Sequence, residues 1–270
     1  MKDIKKAPFM IEVIRLISNM YRLGWDERNG GNLSYILQKE DINDYLDTTK
    51  VLRTIRLNFG AKELSGKLFI VTGTGKYFKN VEYYPEENLG IIQISDDGNF
   101  ANLLWGFSDG GTYTSELPSH LMSHIERLKK DKNHRVVIHT HPTNLIAMTL
   151  IHILDEKSFT KTLWKLATEC IVVFPEGVGV MPWMLCGNSD IGRATANKMK
   201  EFRTCVWSAH GIFTTGISLD ETFGLIETIE KTAKIYMLCQ GKQIINSITD
   251  EQLKLLALAF GVKYKEGWLN

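Results

Sequence analysis

The sequence feature that most constrains the fold is a pair of histidines at the end of an apolar run. His139 and His141 flank Thr140, directly after Val136-Val137-Ile138, whose β-branched side chains favour a buried strand. Successive side chains of a strand point to opposite faces, so both imidazoles are expected on one side, about 7 Å apart along the strand. Two imidazoles placed in this way can share one metal ion.

A third histidine, His210, follows the apolar stretch Cys205-Val206-Trp207, which we also interpret as a strand. Three protein ligands leave one position of a tetrahedral metal open, which distinguishes catalytic zinc sites from structural ones. An isolated H-x-H pattern is short, so on its own it is a weak indication of metal binding. The segments described below strengthen the hypothesis of a catalytic metal site.

The composition is that of an ordinary globular protein. We expect its partner to be a small molecule, for the two reasons that follow. The 270 residues are 44% hydrophobic and 23% charged, with a formal net charge of +1. This charge does not indicate nucleic-acid binding, and no apolar run approaches the about 20 residues of a membrane-spanning helix. The four cysteines form no C-x-x-C pair and no signal peptide is recognisable, so we expect free thiols and a cytoplasmic location.

Alternating strand and helix patterns predict an α/β layered fold, as a single domain over residues 1–270. An amphipathic helix is expected from about Phe9 to Gly24. Further strands are predicted at 33–37, 68–71, 90–95, 101–105, 135–141, 170–174 and 205–210. Further helices are predicted at 116–130, 143–154, 159–168, 189–202 and 219–240. The last of these has Ser218 and Glu221 in capping-box register, and a final helix is expected to open in the same way at Thr249 with Gln252. The polar residues 38–66 lack a clear pattern, and we interpret them as a surface excursion.

The start of the predicted helix 116–130 is a second candidate for function. In Thr114-Ser115-Glu116-Leu117-Pro118, we expect Ser115 to be the N-cap, with Glu116 and Pro118 in the first turn. A carboxylate there interacts favourably with the helix dipole, and proline fits the first turn, so structure alone would account for the sequence. The free N–H groups and the hydroxyls of Thr114 and Ser115 also form a potential anion site.

Two glycine-rich loops are candidates for the rest of a phosphate site. Val71-Thr72-Gly73-Thr74-Gly75-Lys76 follows a predicted buried strand and carries a hydroxyl and a cation, although it lacks P-loop spacing. Asn29-Gly30-Gly31-Asn32 offers side-chain amides and backbone N–H groups in a tight turn. Read alone, each loop is explained as well by an ordinary glycine turn.

Other prominent residues receive structural interpretations. His120 and His124 stand four residues apart in a predicted helix, but no acidic residue is near enough to assist a metal, and we expect none there. Four tryptophans have apolar neighbours and are expected in the core or in interfaces: Trp105, Trp164, Trp183 and Trp207.

Taken together, these segments resemble the class II aldolases of the fuculose-phosphate aldolase and ribulose-phosphate 4-epimerase superfamily, over nearly the whole chain. The shared stretches are residues 24–32, 69–76, 114–118, 139–141, 168–170 with 172–175, and 210–211. Such an ordered set is far more specific than any one motif. The resemblance implies a layered α/β/α fold with a central, largely antiparallel sheet flanked by helices.

The resemblance also implies roles for the candidate residues. Three histidines would bind one zinc ion per subunit: His139, His141 and His210. Glu116 would be the acid/base residue in the cleavage of a small sugar phosphate. Six residues would hold the phosphate or line the site: Asn29, Gly31, Asn32, Thr74, Thr114 and Ser115. Glu169 matches a second catalytic residue, which reaches into a neighbouring subunit's site in a homotetramer.

Three alternatives remain open. A sugar-phosphate 4-epimerase would use the same metal and the same bond cleavage, but would add the aldehyde fragment back. A metal-free binding module could keep the fold, as cytoskeletal relatives do, although such modules tend to lose the histidines. A zinc hydrolase could use three histidines and an open position to activate water, although the phosphate-loop candidates argue weakly against it.

Overall fold

The computed structural model describes residues 1–270 and contains one sheet of nine strands. The strands are β1 Asn32–Leu37, β2 Arg53–Arg56, β3 Leu68–Thr72, β4 Leu89–Ile94, β5 Phe100–Gly106, β6 Val136–Thr140, β7 Gly179–Met181, β8 Thr204–Trp207 and β9 Gly211–Gly216. Their order is β2-β5-β4-β3-β1-β6-β9-β8-β7. Every neighbouring pair is antiparallel except β7 and β8, so the prediction of a largely antiparallel sheet is confirmed.

Ten α-helices accompany the sheet. They are α1 Pro8–Arg22, α2 Lys39–Ile42, α3 Pro85–Asn88, α4 Leu117–Lys130, α5 Thr143–Ile151, α6 Glu156–Leu166, α7 Glu169–Val173, α8 Ser189–Lys198, α9 Leu219–Leu238 and α10 Asp250–Ala259. None of them combines the length and the apolar composition that crossing a membrane requires.

Helices cover both faces of the sheet because its central strands are apolar on both sides. Leu33 and Tyr35 of β1 belong to the largest core cluster, which also contains apolar residues of α1, α5 and α9. Ile36, on the opposite face of the same strand, packs in a second cluster with Leu121 of α4. Val137 of β6 lies in a third cluster, near α8. The layers are therefore helix, sheet and helix, as predicted.

Local side-chain chemistry fixes where the later helices begin. At α10, the predicted capping box is confirmed, since Thr249 and Gln252 each accept a hydrogen bond from the other's backbone N–H. At α9, the hydroxyl of Ser218 accepts from the N–H of Glu221, whose carboxylate in turn accepts from the N–H of Ile217. Ser218 and Glu221 are therefore in the predicted capping-box register, but the carboxylate of Glu221 accepts from the N–H of Ile217 and not from that of Ser218.

One predicted strand is wrong. Residues 170–174 mainly belong to the helix α7, whose buried residues Cys170 and Ile171 pack in the same core cluster as α9 and α10. A short run of β-branched residues favours a strand when it is read alone, and tertiary packing overrides that preference here.

Three strands were not predicted: β2, β7 and β9. Strand β2 lies in segment 38–66, which is therefore not only a surface excursion, since it supplies an edge strand paired with β5. Its sequence, Arg53-Thr54-Ile55-Arg56, is short and has a single aliphatic residue, so it carries little strand signal.

Candidate active site

The three candidate metal ligands come together beside the end of β6. His139 is on β6, His141 directly follows that strand, and His210 lies in the turn between β8 and β9. One ring nitrogen from each lies within 4.8 Å of the others. The Nε2 atoms of His139 and His141 are 3.2 Å apart, close to the about 3.3 Å expected between two nitrogens bound to one tetrahedral zinc ion.

Contacts outside the cluster orient two of these rings. The Nδ1–H of His139 donates to the carbonyl of Ile212 at 2.9 Å, and Nδ1 of His141 lies 3.2 Å from both carboxylate oxygens of Glu27. A ring that donates through Nδ1 presents the lone pair of Nε2 on its other side. Two such lone pairs 3.2 Å apart would repel each other, so this donor set fits a cation between them.

Burial also keeps the cluster in the form that binds metals. Burial, reinforced by the neighbouring His141, lowers the pKa of His210 to about 4. Burial likewise lowers the pKa of His139 well below its ordinary value. Both imidazoles are therefore neutral near pH 7, and the neutral ring is the form that ligates a metal.

Glu116 lies beside this cluster and is almost completely buried. Its Oε2 atom is 3.5 Å from Nε2 of His139 and accepts a hydrogen bond from Nδ2 of Asn32 at 2.7 Å. Burial raises the pKa of Glu116 to about 7, although the bond from Asn32 favours the ionised form. A carboxyl group with a pKa near neutrality can both accept and return a proton.

The N-cap of α4 is Glu116, so the prediction of Ser115 at that position is wrong. The hydroxyl of Thr114 accepts from the N–H of Glu116 at 3.2 Å, and the carbonyl of Glu116 accepts the first helical bond, from His120. This tight turn places Pro118 within the first turn, as expected, and leaves Ser115 along the wall of a cavity. The Glu116 carboxylate is thus turned to Asn32 rather than used as a cap.

The histidines, Glu116 and the three predicted phosphate loops line one cavity of about 320 Å³. Ten predicted site residues contribute to it: Asn29, Gly31, Asn32, Thr74, Thr114, Ser115, Glu116, His139, His141 and His210. Two backbone hydrogen bonds, from Thr74 N to Thr112 O and from Thr114 N to Thr72 O, hold two of the loops side by side. Segments far apart in sequence therefore form a single polar site.

Gly31 is required by the backbone of this site. Its φ is +73°, and a Cβ atom there would lie 1.6 Å from Oδ1 of the buried Asp26. Asp26 in turn accepts a hydrogen bond from the hydroxyl of Thr140, between the two histidines. The loop can approach β6 this closely only because residue 31 lacks a side chain.

Glu169 is the one predicted site residue that lies elsewhere. It is exposed at the start of α7 and is not among the residues that line the cavity of its own chain. Its contribution to a neighbouring subunit's site stays a prediction.

Three further side chains line the cavity and were given no role from sequence: Glu27, Arg28 and Cys186. Glu27 meets His141 across 114 residues of chain, a contact that no local pattern reveals. Arg28 has a φ of +53° and supplies the cavity with its one arginine or lysine side chain. The sequence offered one signal for Arg28, which is its position inside the loop from Asp26 to Asn32.

Comparisons with known proteins identify the family of the chain. Residues 11–237 match the family described as Class II Aldolase and Adducin N-terminal domain. The chain therefore belongs to the class II aldolase family.

Two relatives that match the chain over nearly its full length are named as aldolases. The chain is 56% identical over 270 residues to the rhamnulose-1-phosphate aldolase of Listeria innocua, covering 100% of this chain and 99% of that one. It is 53% identical over 269 residues to the rhamnulose-1-phosphate aldolase of Enterococcus faecalis, covering 99% and 96%. The protein is thus an enzyme of the lyase class.

A solved structure shows the same fold. The sugar-phosphate aldolase from Thermotoga maritima superposes with a TM-score of 0.74 at 24% identity, covering 86% of this chain and 96% of that chain. At this identity the likeness concerns the fold alone.

Proposed function

We propose that this aldolase reversibly cleaves L-rhamnulose 1-phosphate to dihydroxyacetone phosphate and L-lactaldehyde, in rhamnose catabolism. Relatives that carry the name of this activity match the chain over its full length at 56% and 53% identity. The observation that carries the proposal is the convergence of three imidazoles, one buried carboxyl group and three polar loops on a single cavity.

We infer that His139, His141 and His210 hold one zinc ion per subunit. Their inward lone pairs and their spacing support this assignment. When bound, the ion would act as a Lewis acid and stabilise negative charge on the ketone and adjacent hydroxyl oxygens of the substrate.

Glu116 is assigned the proton transfer at carbon. In cleavage, the C4 hydroxyl loses its proton to water as C4 becomes the aldehyde carbon, and the electron pair of the broken C3–C4 bond stays on C3 of the three-carbon fragment. Glu116 donates a proton to C3 in cleavage and removes the same proton in condensation. Its burial supports this role, because a carboxyl group with a pKa of about 7 is populated in both forms at neutral pH.

The phosphate is assigned to the polar loops that line the cavity with the histidines and Glu116. Asn29, Thr74, Thr114 and Ser115 supply an amide and three hydroxyls, and Asn32 and Gly31 line the same space. Arg28 adds a positive charge that favours a dianion. A phosphate held by these loops fixes the position of the reacting carbon, and such fixed orientation lowers the barrier of the chemical step.

We further propose a homotetramer in the cytoplasm, in which Glu169 of a neighbouring subunit completes the aldehyde end of the site. The exposure of Glu169 and its absence from the cavity of its own chain support a role in trans. The four free cysteines are compatible with a reducing compartment.

The direct test is a product assay with purified protein and L-rhamnulose 1-phosphate. Dihydroxyacetone phosphate is measured with a coupled enzyme, for untreated protein, chelator-treated protein and protein reloaded with zinc. We expect zinc-dependent product that falls about 100- to 10,000-fold in Glu116→Gln, the usual contribution of one general acid or base. A zinc-loaded enzyme that only epimerises sugar phosphates, or gives no product, would reject the proposal.

A further inference from the structure

A chain of buried hydrogen bonds leads away from Glu116 between β1 and α4. Asn32 Nδ2 donates to Glu116 at 2.7 Å, and Asn32 Oδ1 is hydrogen-bonded to Nε2 of His120. Nδ1 of the same ring lies 2.8 Å from Oγ of Ser34, and this hydroxyl lies 2.8 Å from Nε2 of His124. Five side chains therefore form one unbroken path.

The path ends at His134, in the loop before β6. Nδ1 of His124 lies 2.8 Å from Nε2 of His134. His134 lines a separate cavity of about 160 Å³ together with Arg127, Asp131 and Arg203. The hydrogen bonds thus connect the active-site carboxyl group to a different cavity of the protein.

The regular geometry of β1 and α4 produces this arrangement. Asn32 and Ser34 are two residues apart on one face of β1, a step of about 6.6 Å. His120 and His124 are four residues apart on one face of α4, a step of about 6 Å. Because the two spacings nearly match, each strand residue can meet a histidine of the helix.

Because the side chains of this network are buried, their polar atoms need hydrogen-bond partners within it. Ser34, His120 and His124 are 0% exposed, and His134 is 3% exposed. Burial lowers the pKa of His120 and of His134 to about 3, so both rings are neutral near pH 7. A neutral imidazole has one donor and one acceptor nitrogen, and a buried polar group without a partner is costly.

These constraints allow one direction of donation when Glu116 is ionised. The carboxylate can only accept, so Asn32 turns its NH₂ group to it and its carbonyl oxygen to His120. His120 must then donate through Nε2 and accept through Nδ1, and that acceptor takes the hydroxyl proton of Ser34. Ser34 in turn accepts from Nε2–H of His124, whose Nδ1 accepts from Nε2–H of His134.

We propose that Ser34, His120, His124 and His134 are positioning residues for Glu116. By fixing the amide of Asn32 with its NH₂ group toward the carboxylate, they hold Glu116 in the orientation that proton transfer at carbon requires. Bonds that all donate in one direction polarise one another, which strengthens the bond that reaches Glu116. The inference rests on the proposed function in that it takes Glu116 as the proton carrier.

Two serine substitutions test the proposal with a matched control. Ser34→Ala removes the hydroxyl between His120 and His124. Ser123→Ala makes the same change on α4 at a fully buried serine whose hydroxyl has no hydrogen-bond partner. We expect Ser34→Ala to lower kcat about tenfold with KM within about twofold, since one positioning bond is lost and substrate binding is retained.

When kcat is expressed per bound zinc ion, Ser123→Ala should have the kcat of the wild type. Ser34→Thr, which keeps a hydroxyl, should recover most of that kcat. A wild-type kcat in Ser34→Ala would overturn the proposal. So would equal losses in Ser34→Ala and Ser123→Ala, because that result would reflect general packing.

The histidine tautomers provide a test that needs no substrate. In ¹⁵N-histidine-labelled protein, NMR should show His120, His124 and His134 each protonated at Nε2 alone near pH 8, and Ser34→Ala should disturb the signals of His120 and His124. An Nδ1–H tautomer or a charged ring at any of the three would overturn the proposal. If the wild type fails to cleave L-rhamnulose 1-phosphate, the proposed function fails, while the tautomers still decide the direction of the chain.

Discussion

Two groups of histidines, one beside Glu116 and one joined to it through Asn32, use the same side chain in opposite ways. In the open group, which is the candidate metal ligands His139, His141 and His210, the rings of His139 and His141 satisfy Nδ1 with protein partners and direct Nε2 into an open cavity. In the closed group, which is His120, His124 and His134, the rings of His120 and His124 have both nitrogens hydrogen-bonded to neighbouring side chains in the interior. The difference teaches that the partners of the second ring nitrogen separate a candidate metal ligand from a structural histidine, and that spacing alone does not.

The largest predicted effect comes from removing one ligand of the open group. His139→Ala removes the buried member of the cluster, so two ligands remain and the bound ion is expected to be lost. We expect kcat/KM to fall about 1000-fold or more, together with the zinc content measured by atomic emission. Full zinc content in His139→Ala, with normal activity, would show that the cluster is not the metal site.

The second largest effect comes from removing one hydrogen-bonding ring of the closed group. His124→Phe keeps an aromatic ring beside Phe69, whose ring centroid is 5.1 Å from that of His124. The change removes one of the two hydrogen bonds of Ser34, which keeps its bond to His120, and leaves Nε2 of His134 without a partner. We expect the free energy of unfolding to fall by about 2 kcal/mol, because buried polar groups lose their bonds. Urea unfolding at a fixed protein concentration measures this change. Zinc content should stay at the wild-type level, and a loss of zinc would erase the contrast between the two groups.

The smallest effect is a pH dependence of stability that belongs to the closed group. Burial lowers the pKa of His134 to about 3 in the folded protein, whereas the unfolded chain titrates near 6.5. Below pH 6.5 the unfolded state therefore binds more protons, so stability is full above that pH and falls as the pH decreases.

His134→Phe removes this proton uptake. In chelator-treated protein, the wild type should lose up to about 1.4 kcal/mol more stability per pH unit between pH 6.5 and 5 than His134→Phe. Urea unfolding at several pH values gives both slopes. Identical slopes would mean that His134 is not held neutral by the fold.

Much of the site could be predicted from sequence because its chemistry sits in short local patterns. The H-x-H pair follows a β-branched run, and alternation along β6 and the turn after it bring both rings to one cavity. The loop glycines and the threonine hydroxyls are equally local signals. The capping box at Thr249 was readable for the same reason, since both of its bonds lie within one helical turn.

The remaining features depend on contacts that a linear pattern does not contain. The path from Asn32 to His134 requires the register that pairs Asn32 with His139 and places α4 over β1. The contact of Glu27 with His141 and the helical state of residues 169–173 likewise follow from packing. Sequence reasoning named His120 and His124, but it could not supply their partners.

The most direct test of the central claim is a zinc titration of the metal-free enzyme during cleavage of L-rhamnulose 1-phosphate. Activity should rise in proportion to added zinc and stop rising at one ion per chain, and His139→Ala should stay near the baseline throughout. Full activity in the metal-free enzyme, or one bound zinc ion without release of dihydroxyacetone phosphate, would contradict the account.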